Sequence, residues 1–431
     1  MDQSATSEEQ LLSRVWWRIL PFVFILFIIN ILDRVNIGYT ALEMNADLGI
    51  TPVVFGLISG IFFIGYFLFE IPSNTILARV GACLWLGRIM VTWGIIVLVM
   101  AFVQTAFQLG TLRFLLGVAE AGFFPGIILF LSFWFDKNAI ARSYAIFIAA
   151  MPIALVIGSP VSTAIIQYVD WLGIAGWRWV FIIQGLLAVG AGIATLIFLP
   201  STPKKARWLT SGEKAQLEET LQCEMVRDGM PRHMPLRELA RSRTVQVLTV
   251  CLFLIYLAIF GIVFWLPQIV KSFYPGMPVF GIGVVLMVPY SVTALVMFLW
   301  GRHSDRTGER IWHVILPVIV GAGAFFADAL VAESALSMVL LGIALVALFS
   351  ALPSFWAIVI DAISPGLRPA GTAFINSFAS LGSFLGPVLF GLFVERSEVY
   401  DEMTAMIVIG VALVACVLVL WGMGRRSTNM G

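Results

Sequence analysis

A chain of 431 residues that is 60% hydrophobic and only 12% charged, with a mean hydropathy of +0.98, is excluded from the soluble globular class, where about a quarter of residues are charged. A formal net charge of +1 argues against a nucleic-acid partner. What remains is a polytopic membrane protein.

Residues 1–10 are polar and acidic at Asp2, Glu8 and Glu9. They lack the basic segment and cleavage site of a secretory signal, so the N-terminus is expected to stay on and to stay cytoplasmic. Twelve apolar segments follow, at roughly 19–41, 54–78, 84–104, 107–135, 143–169, 178–200, 243–271, 280–301, 312–331, 335–360, 370–395 and 400–424. Each is about 20 residues or longer, enough at ~1.5 Å per residue to cross a ~30 Å hydrocarbon core, so they read as helices rather than barrel strands. An even number of spans puts both termini on one side. Of the 26 Lys and Arg residues, 21 fall on that side; Arg178, Lys271 and Arg396 fall on the other, and Arg34 and Arg113 lie within spans. Basic loops stay inside, which places both termini in the cytoplasm.

The polar segment 201–242 divides the chain into a bundle at 1–200, a cytoplasmic linker, and a second bundle at 243–431. Within the linker, Glu213 to Leu221 reads as a short surface helix starting after a Thr210-Ser211 cap, a tether on the membrane face. The bundles look duplicated: Gly158-Ser159-Pro160 in the fifth span is answered by Leu385-Gly386-Pro387 in the eleventh. The loop after the second span has a fuller counterpart in Gly301 to Arg310. Duplicated bundles with a site between them are a transporter plan.

Ionisable groups at membrane depth are costly and usually functional. Asp33 and Arg34 stand side by side in the first span, just past its midpoint. In the fourth span Arg113 and Glu120 are seven apart, hence on one helix face about 10 Å from each other, among small residues that allow close helix packing. Pro125 is expected to break the backbone ladder below Glu120. The four groups balance in charge and can share a depth. A substrate carboxylate that takes an arginine from its carboxylate partner would leave that partner to bind a proton, a minimal symport coupling. Apart from His313 at the very edge of the ninth segment, no histidine falls inside the predicted spans, so Asp33 and Glu120 are the leading proton carriers. Glu70, nearer a span end, is expected to pair with a loop arginine or a helix N-terminus. Asp305 and Arg306 read as a conformational latch in the loop that ends at Arg310, and Asp328 and Asp361 as solvated span ends. Four dispersed cysteines and three histidines offer no disulfide framework or metal site.

The whole plan resembles the major facilitator superfamily, through its twelve spans, its central basic loop and the Gly301 to Arg310 loop signature. Where the first copy of that signature would carry an acidic residue, this chain has Ala78 and Arg79. Within the superfamily the chain is similar to the bacterial anion:cation symporter group. The likeness is carried by Leu32-Asp33-Arg34-Val35-Asn36-Ile37-Gly38, the string from Arg113 to Gly126, Phe133-Trp134-Phe135, and Ala206-Arg207-Trp208-Leu209-Thr210. The resemblance implies that Asp33 and Glu120 are protonated in the cycle, that Arg34 and Arg113 handle the carboxylate, and that Tyr66, Trp356 and Asn376 line the cavity.

The expectation is a monomeric, proton-coupled importer of a sugar acid or a hydroxy or aromatic carboxylate in a bacterial inner membrane, with no cofactor beyond the coupling proton. The alternatives are an organic-anion exchanger or uniporter, and a membrane carboxylate sensor; for the sensor, no output domain is read after Arg425-Arg426. An enzyme is not expected, since no nucleophile–base pair or metal cluster is legible.

Overall fold

The computed structural model describes residues 2–135, 137–228, 240–331, 335–363, 368–395 and 400–428. Twelve helical segments among them are long and apolar enough to cross a membrane. In chain order the helices are α1 (Asp2–Asp47), α2 (Pro52–Val80), α3 (Ala82–Met100), α4 (Ala106–Glu120), α5 (Phe123–Ser132), α6 (Lys137–Tyr168) and α7 (Gly176–Phe198). The linker helix α8 (Ser211–Asp228) is followed by α9 (Arg243–Phe273), α10 (Val279–Thr307), α11 (Ile311–Leu330), α12 (Ala335–Ala362), α13 (Arg368–Glu395) and α14 (Tyr400–Thr428). The first span is longer than its hydropathy suggests: α1 has 46 residues and carries the acidic N-terminal segment as continuous helix.

The fourth span is two helices. The break comes at Ala121-Gly122, where Gly122 adopts a φ of 89° that costs a residue with a Cβ but not glycine. Pro125 falls in the first turn of α5, where its missing N–H leaves no helical bond unmade. The ladder is therefore interrupted one residue after Glu120 and before the proline.

Within the first six spans, α2 crosses α4 where Gly65 faces the Phe114 carbonyl and Gly117 faces the Phe62 carbonyl, so the two backbones touch. The duplicated Gly and Pro motifs occupy equivalent pairs: Gly158 of α6 packs on Leu32 of α1, and Gly386 of α13 on Leu257 of α9. Between the halves, α2 lies along α13, α6 along α10 and α1 along α9. At the end away from the basic loops these seams are fastened by polar bonds. Lys271 Nζ donates to the Leu42 carbonyl (2.5 Å), Asn45 to Gln268 Oε1 (3.2 Å), and Thr51 Oγ1 and the Val53 amide to Glu395 Oε2 (2.8 and 2.7 Å).

The linker is more than a tether. Ala206, Leu209 and Leu217 are buried, Trp208 stacks on Trp134 with centroids 5.8 Å apart, and the Arg18 guanidinium lies 5.7 Å from the Trp208 ring. Residues 201–228 are thereby docked on the first bundle. Residues 229–239, with Arg237, and also Arg396 lie outside the described residues.

At the start of α8, Glu213 Oε2 accepts from the Thr210 amide (2.9 Å) and Thr210 Oγ1 from the Glu213 amide (3.4 Å), a reciprocal cap to which Arg14 adds an ion pair. The Thr210 amide, then its hydroxyl and Arg14, hold the Glu213 carboxyl below the usual carboxylate range. A depressed carboxyl contributes its stabilisation at neutral pH and loses it as pH falls through the folded value. A spin label on Ala215→Cys is therefore expected to be immobile at pH 7 and to gain mobility only in acid. With Glu213→Ala added, it should be mobile already at pH 7; equal mobility of the two proteins at that pH rejects the cap.

Candidate functional site

Successive helix residues point about 100° apart, and Asp33 and Arg34 here take different partners. Asp33 is fully buried and its Oδ2 accepts from Trp93 Nε1 of α3 at 2.8 Å. Arg34, with 14% of its side chain exposed, donates to Glu120 Oε2 at 3.0 Å. Asn30, one turn before Arg34, donates to the same oxygen at 2.8 Å. Glu120 of α4 is thus clamped by two residues of one face of α1.

Arg113 is fully buried. It donates to the Ser59 carbonyl at 3.4 Å, and its guanidinium carbon sits 5.1 Å from the Phe62 ring centre. The Arg34 guanidinium lies 5.2 Å from the same ring and 5.2 Å from the Tyr66 ring. Phe62 therefore connects the two arginines, and Tyr66 closes the group. Arg113 Nε and Nη1, Arg34 Nε and Glu120 Oε1 are buried without a hydrogen-bond partner among the described residues. Buried guanidinium donors are normally satisfied, so this is donor capacity suited to a carboxylate.

The second half contributes Tyr256 of α9, Trp356 of α12 and Asn376 of α13. The Tyr256 hydroxyl donates to Asn376 Oδ1 at 3.5 Å. Trp356 lies 6.4 Å from Phe124 of α5, centroid to centroid, so an aromatic contact joins the halves there.

Glu70 departs from its sequence reading. It is fully buried and, among the described residues, pairs with neither a loop arginine nor a helix N-terminus; Asn376 Nδ2 donates to its Oε1 at 2.9 Å and Ser377 Oγ to its Oε2. Its partners come from the other half of the chain, a contact hydropathy cannot reveal. The rule that singled out Asp33, an ionisable group inside an apolar run, would have singled it out too. Asn30, Phe62, Trp93 and Tyr256 were also missed. Of these, only Asn30 carried a signal, four residues before Arg34 on the same helix face.

Asp328 likewise is not a solvated span end: it is 4% exposed in α11 and lines a small cavity with Ser272 and Ser337. Asp361 is exposed as expected. Asp305, in the last turn of α10, pairs at 2.5 Å with Arg310 of the short loop before α11, and Arg306 is exposed. His303 falls within a span, which the segment 280–301 did not include, near the end of α10; His313 lies at the start of α11, with His303 Nδ1 2.7 Å from His313 Nε2. Glu309 lies beside them; partial burial pushes its carboxyl up, but the Trp312 amide and the His313 ring together hold it below the usual carboxylate range. No group of three His, Cys, Asp or Glu able to hold a metal occurs among the described residues.

Twelve spans in two packed halves, with paired charges between α1 and α4, coincide with a known architecture. The family model described as Major Facilitator Superfamily matches residues 23–387 and 276–430. The chain belongs to the major facilitator superfamily. A protein of Agrobacterium vitis provisionally named a tartrate transporter is 41% identical over 413 residues, covering 96% of this chain and 91% of the relative. The inner membrane transport protein RhmT of Escherichia coli K12 is 33% identical over 372 residues, covering 86% of each. Among solved structures, a D-xylose–proton symporter superposes with a TM-score of 0.76 at 14% identity, over 94% of this chain and 97% of that one, a likeness of fold. This superfamily member is a multi-pass membrane transport protein.

Proposed function

We propose that the protein is a proton-coupled symporter that takes up a small organic anion, of the hydroxy-carboxylate class suggested by the tartrate-named relatives, across a bacterial inner membrane with both termini in the cytoplasm. The observation that carries this reading is the Glu120–Arg34 pair beside Arg113, whose Nε and Nη1 have no hydrogen-bond partner among the described residues. A substrate carboxylate engages Arg113 and draws Arg34 from Glu120. A proton then replaces the Arg34 cation as the counter-charge of Glu120, because an uncompensated carboxylate at this depth is costly. Asp33, held by Trp93, is the second proton carrier. Tyr66, Trp356 and Asn376 complete the substrate cavity, and the halves rock about it, with Asp305, Arg306 and Arg310 latching one state. The protein works as a monomer and needs no cofactor.

The test is uptake of labelled tartrate into proteoliposomes with and without an inward proton gradient. Accumulation above equilibrium is expected only with the gradient. Glu120→Gln should lose that accumulation by about tenfold or more while keeping tartrate counterflow. Equal filling with and without the gradient, and unchanged accumulation in Glu120→Gln, would each favour exchange or facilitated passage and overturn proton coupling.

A further inference from the structure

The geometry points to Glu70 as a positioning residue that makes the site select for hydroxylated carboxylates, by fixing which way the Asn376 amide faces. This rests on the reading of the site as a carboxylate site. Glu70 itself is fully buried, whereas Asn376 and Tyr256 are partly accessible. Both Glu70 carboxyl oxygens act as acceptors, Oε1 from Asn376 Nδ2 at 2.9 Å and Oε2 from Ser377 Oγ, so the Asn376 NH2 group is the end turned towards Glu70. Ser377 holds the other carboxylate oxygen, which stops Glu70 from swinging away. The Asn376 carbonyl oxygen is left on the opposite side, met among the described residues only by the long 3.5 Å bond from Tyr256.

That oxygen can accept but not donate. Arg34, which would anchor the carboxylate, lies within electrostatic reach of both Glu70 and Tyr256. A ligand held there brings the carbons next to its carboxylate towards Asn376. A hydroxyl at those carbons satisfies Oδ1, and a methylene leaves it shielded from water with nothing better than the long Tyr256 bond. A site built to hydrogen-bond a hydroxyl rejects the analogue lacking it by a large factor for that reason. Glu70 belongs to α2 and Asn376 to α13, so the orientation is imposed across the seam between the halves. Recognition by one half is thereby conditional on contact with the other.

The experiment compares tartrate, malate and succinate, which differ in hydroxyl number, as ligands of the full-length protein in proteoliposomes. Apparent KM and maximal rate are measured for each. The wild type is expected to prefer tartrate over succinate by about tenfold or more, through KM. Glu70→Met fills the same volume without an acceptor; it should collapse the preference to within about twofold by raising the tartrate KM, with the succinate KM little changed. Glu70→Gln keeps one carbonyl acceptor for Asn376 and should retain the preference. Asn376→Ala should collapse it as Glu70→Met does, and the double variant should go no further, since the two act as one unit. Asn376→Ala also decides the matter if Glu70→Met fails to fold. A preference that survives Asn376→Ala, or a Glu70→Met protein slowed equally on all three acids with the ratio intact, overturns the positioning role and leaves the carboxylate site standing. A wild type that responds to none of the three acids overturns both.

Discussion

Arg34→Ala is expected to reduce uptake at least ~100-fold, equivalent to about 2.7 kcal/mol, and to destabilise the protein in the same stroke. Glu120 is fully buried, and Arg34 is its cationic partner at 3.0 Å. Removing one member of such a pair leaves a charge at low dielectric that the 2.8 Å bond from Asn30 alone cannot offset, at a cost of about 3–5 kcal/mol. The double variant Arg34→Met/Glu120→Gln separates the two consequences. It removes both charges at similar volume and should recover thermal stability in detergent while uptake stays lost, because both substrate anchoring and proton exchange need the charges. Uptake within about threefold of wild type in Arg34→Ala would show the pair to be a structural tie between α1 and α4.

Gly117→Val is the second large effect. A Cβ at this position would run into the carbonyl of Phe62 and crowd the amide of Tyr66, both backbone groups of a helix that cannot step aside locally. The two helices must then separate by about the width of a methyl group, and the helices in question are those that carry the site. Gly117 lies about one turn from both Arg113 and Glu120, and its opposing residues Phe62 and Tyr66 are the rings beneath the two guanidinium groups. A displacement of about 1 Å in such a constellation is enough for a ~100-fold loss of rate. Uptake near background and a lowered folded yield are expected. Gly110→Ala on the same helix meets only Ile58 Cγ1 at 3.7 Å, an ordinary contact, and should stay within about twofold of wild type. Equal tolerance at the two positions would mean that the α2–α4 crossing does not hold the site together.

The legibility of this protein in its sequence divides along one physical line. Hydropathy needs no partner to be read: an apolar run of about 20 residues must be a helix in lipid because every backbone group has to be satisfied within it. The twelve spans, the basic loops and the status of Asp33, Arg34, Arg113 and Glu120 as buried charges follow from that requirement alone. The Gly158 and Gly386 motifs betrayed the duplication because close helix contact admits only small side chains.

Partner identity is another matter, since it depends on how each helix is rotated and what it is laid against. The sequence placed Asp33 and Arg34 together, and only the packing sent one to Trp93 and the other to Glu120. It placed Glu70 near a span end, and only the α2–α13 seam gave it Asn376 and Ser377, more than 300 residues away. It put the break of the fourth span at a proline, whereas the interruption came at the glycine whose φ of 89° no other residue adopts as readily. It left the linker as a tether, until Trp208 found Trp134. By itself the sequence determined that this chain crosses a membrane twelve times and buries charge on the way, because transfer free energy is a property of each segment. Which charges meet, and across which seam the substrate residues are set, was decided only by tertiary structure, because a hydrogen bond needs two helices in register.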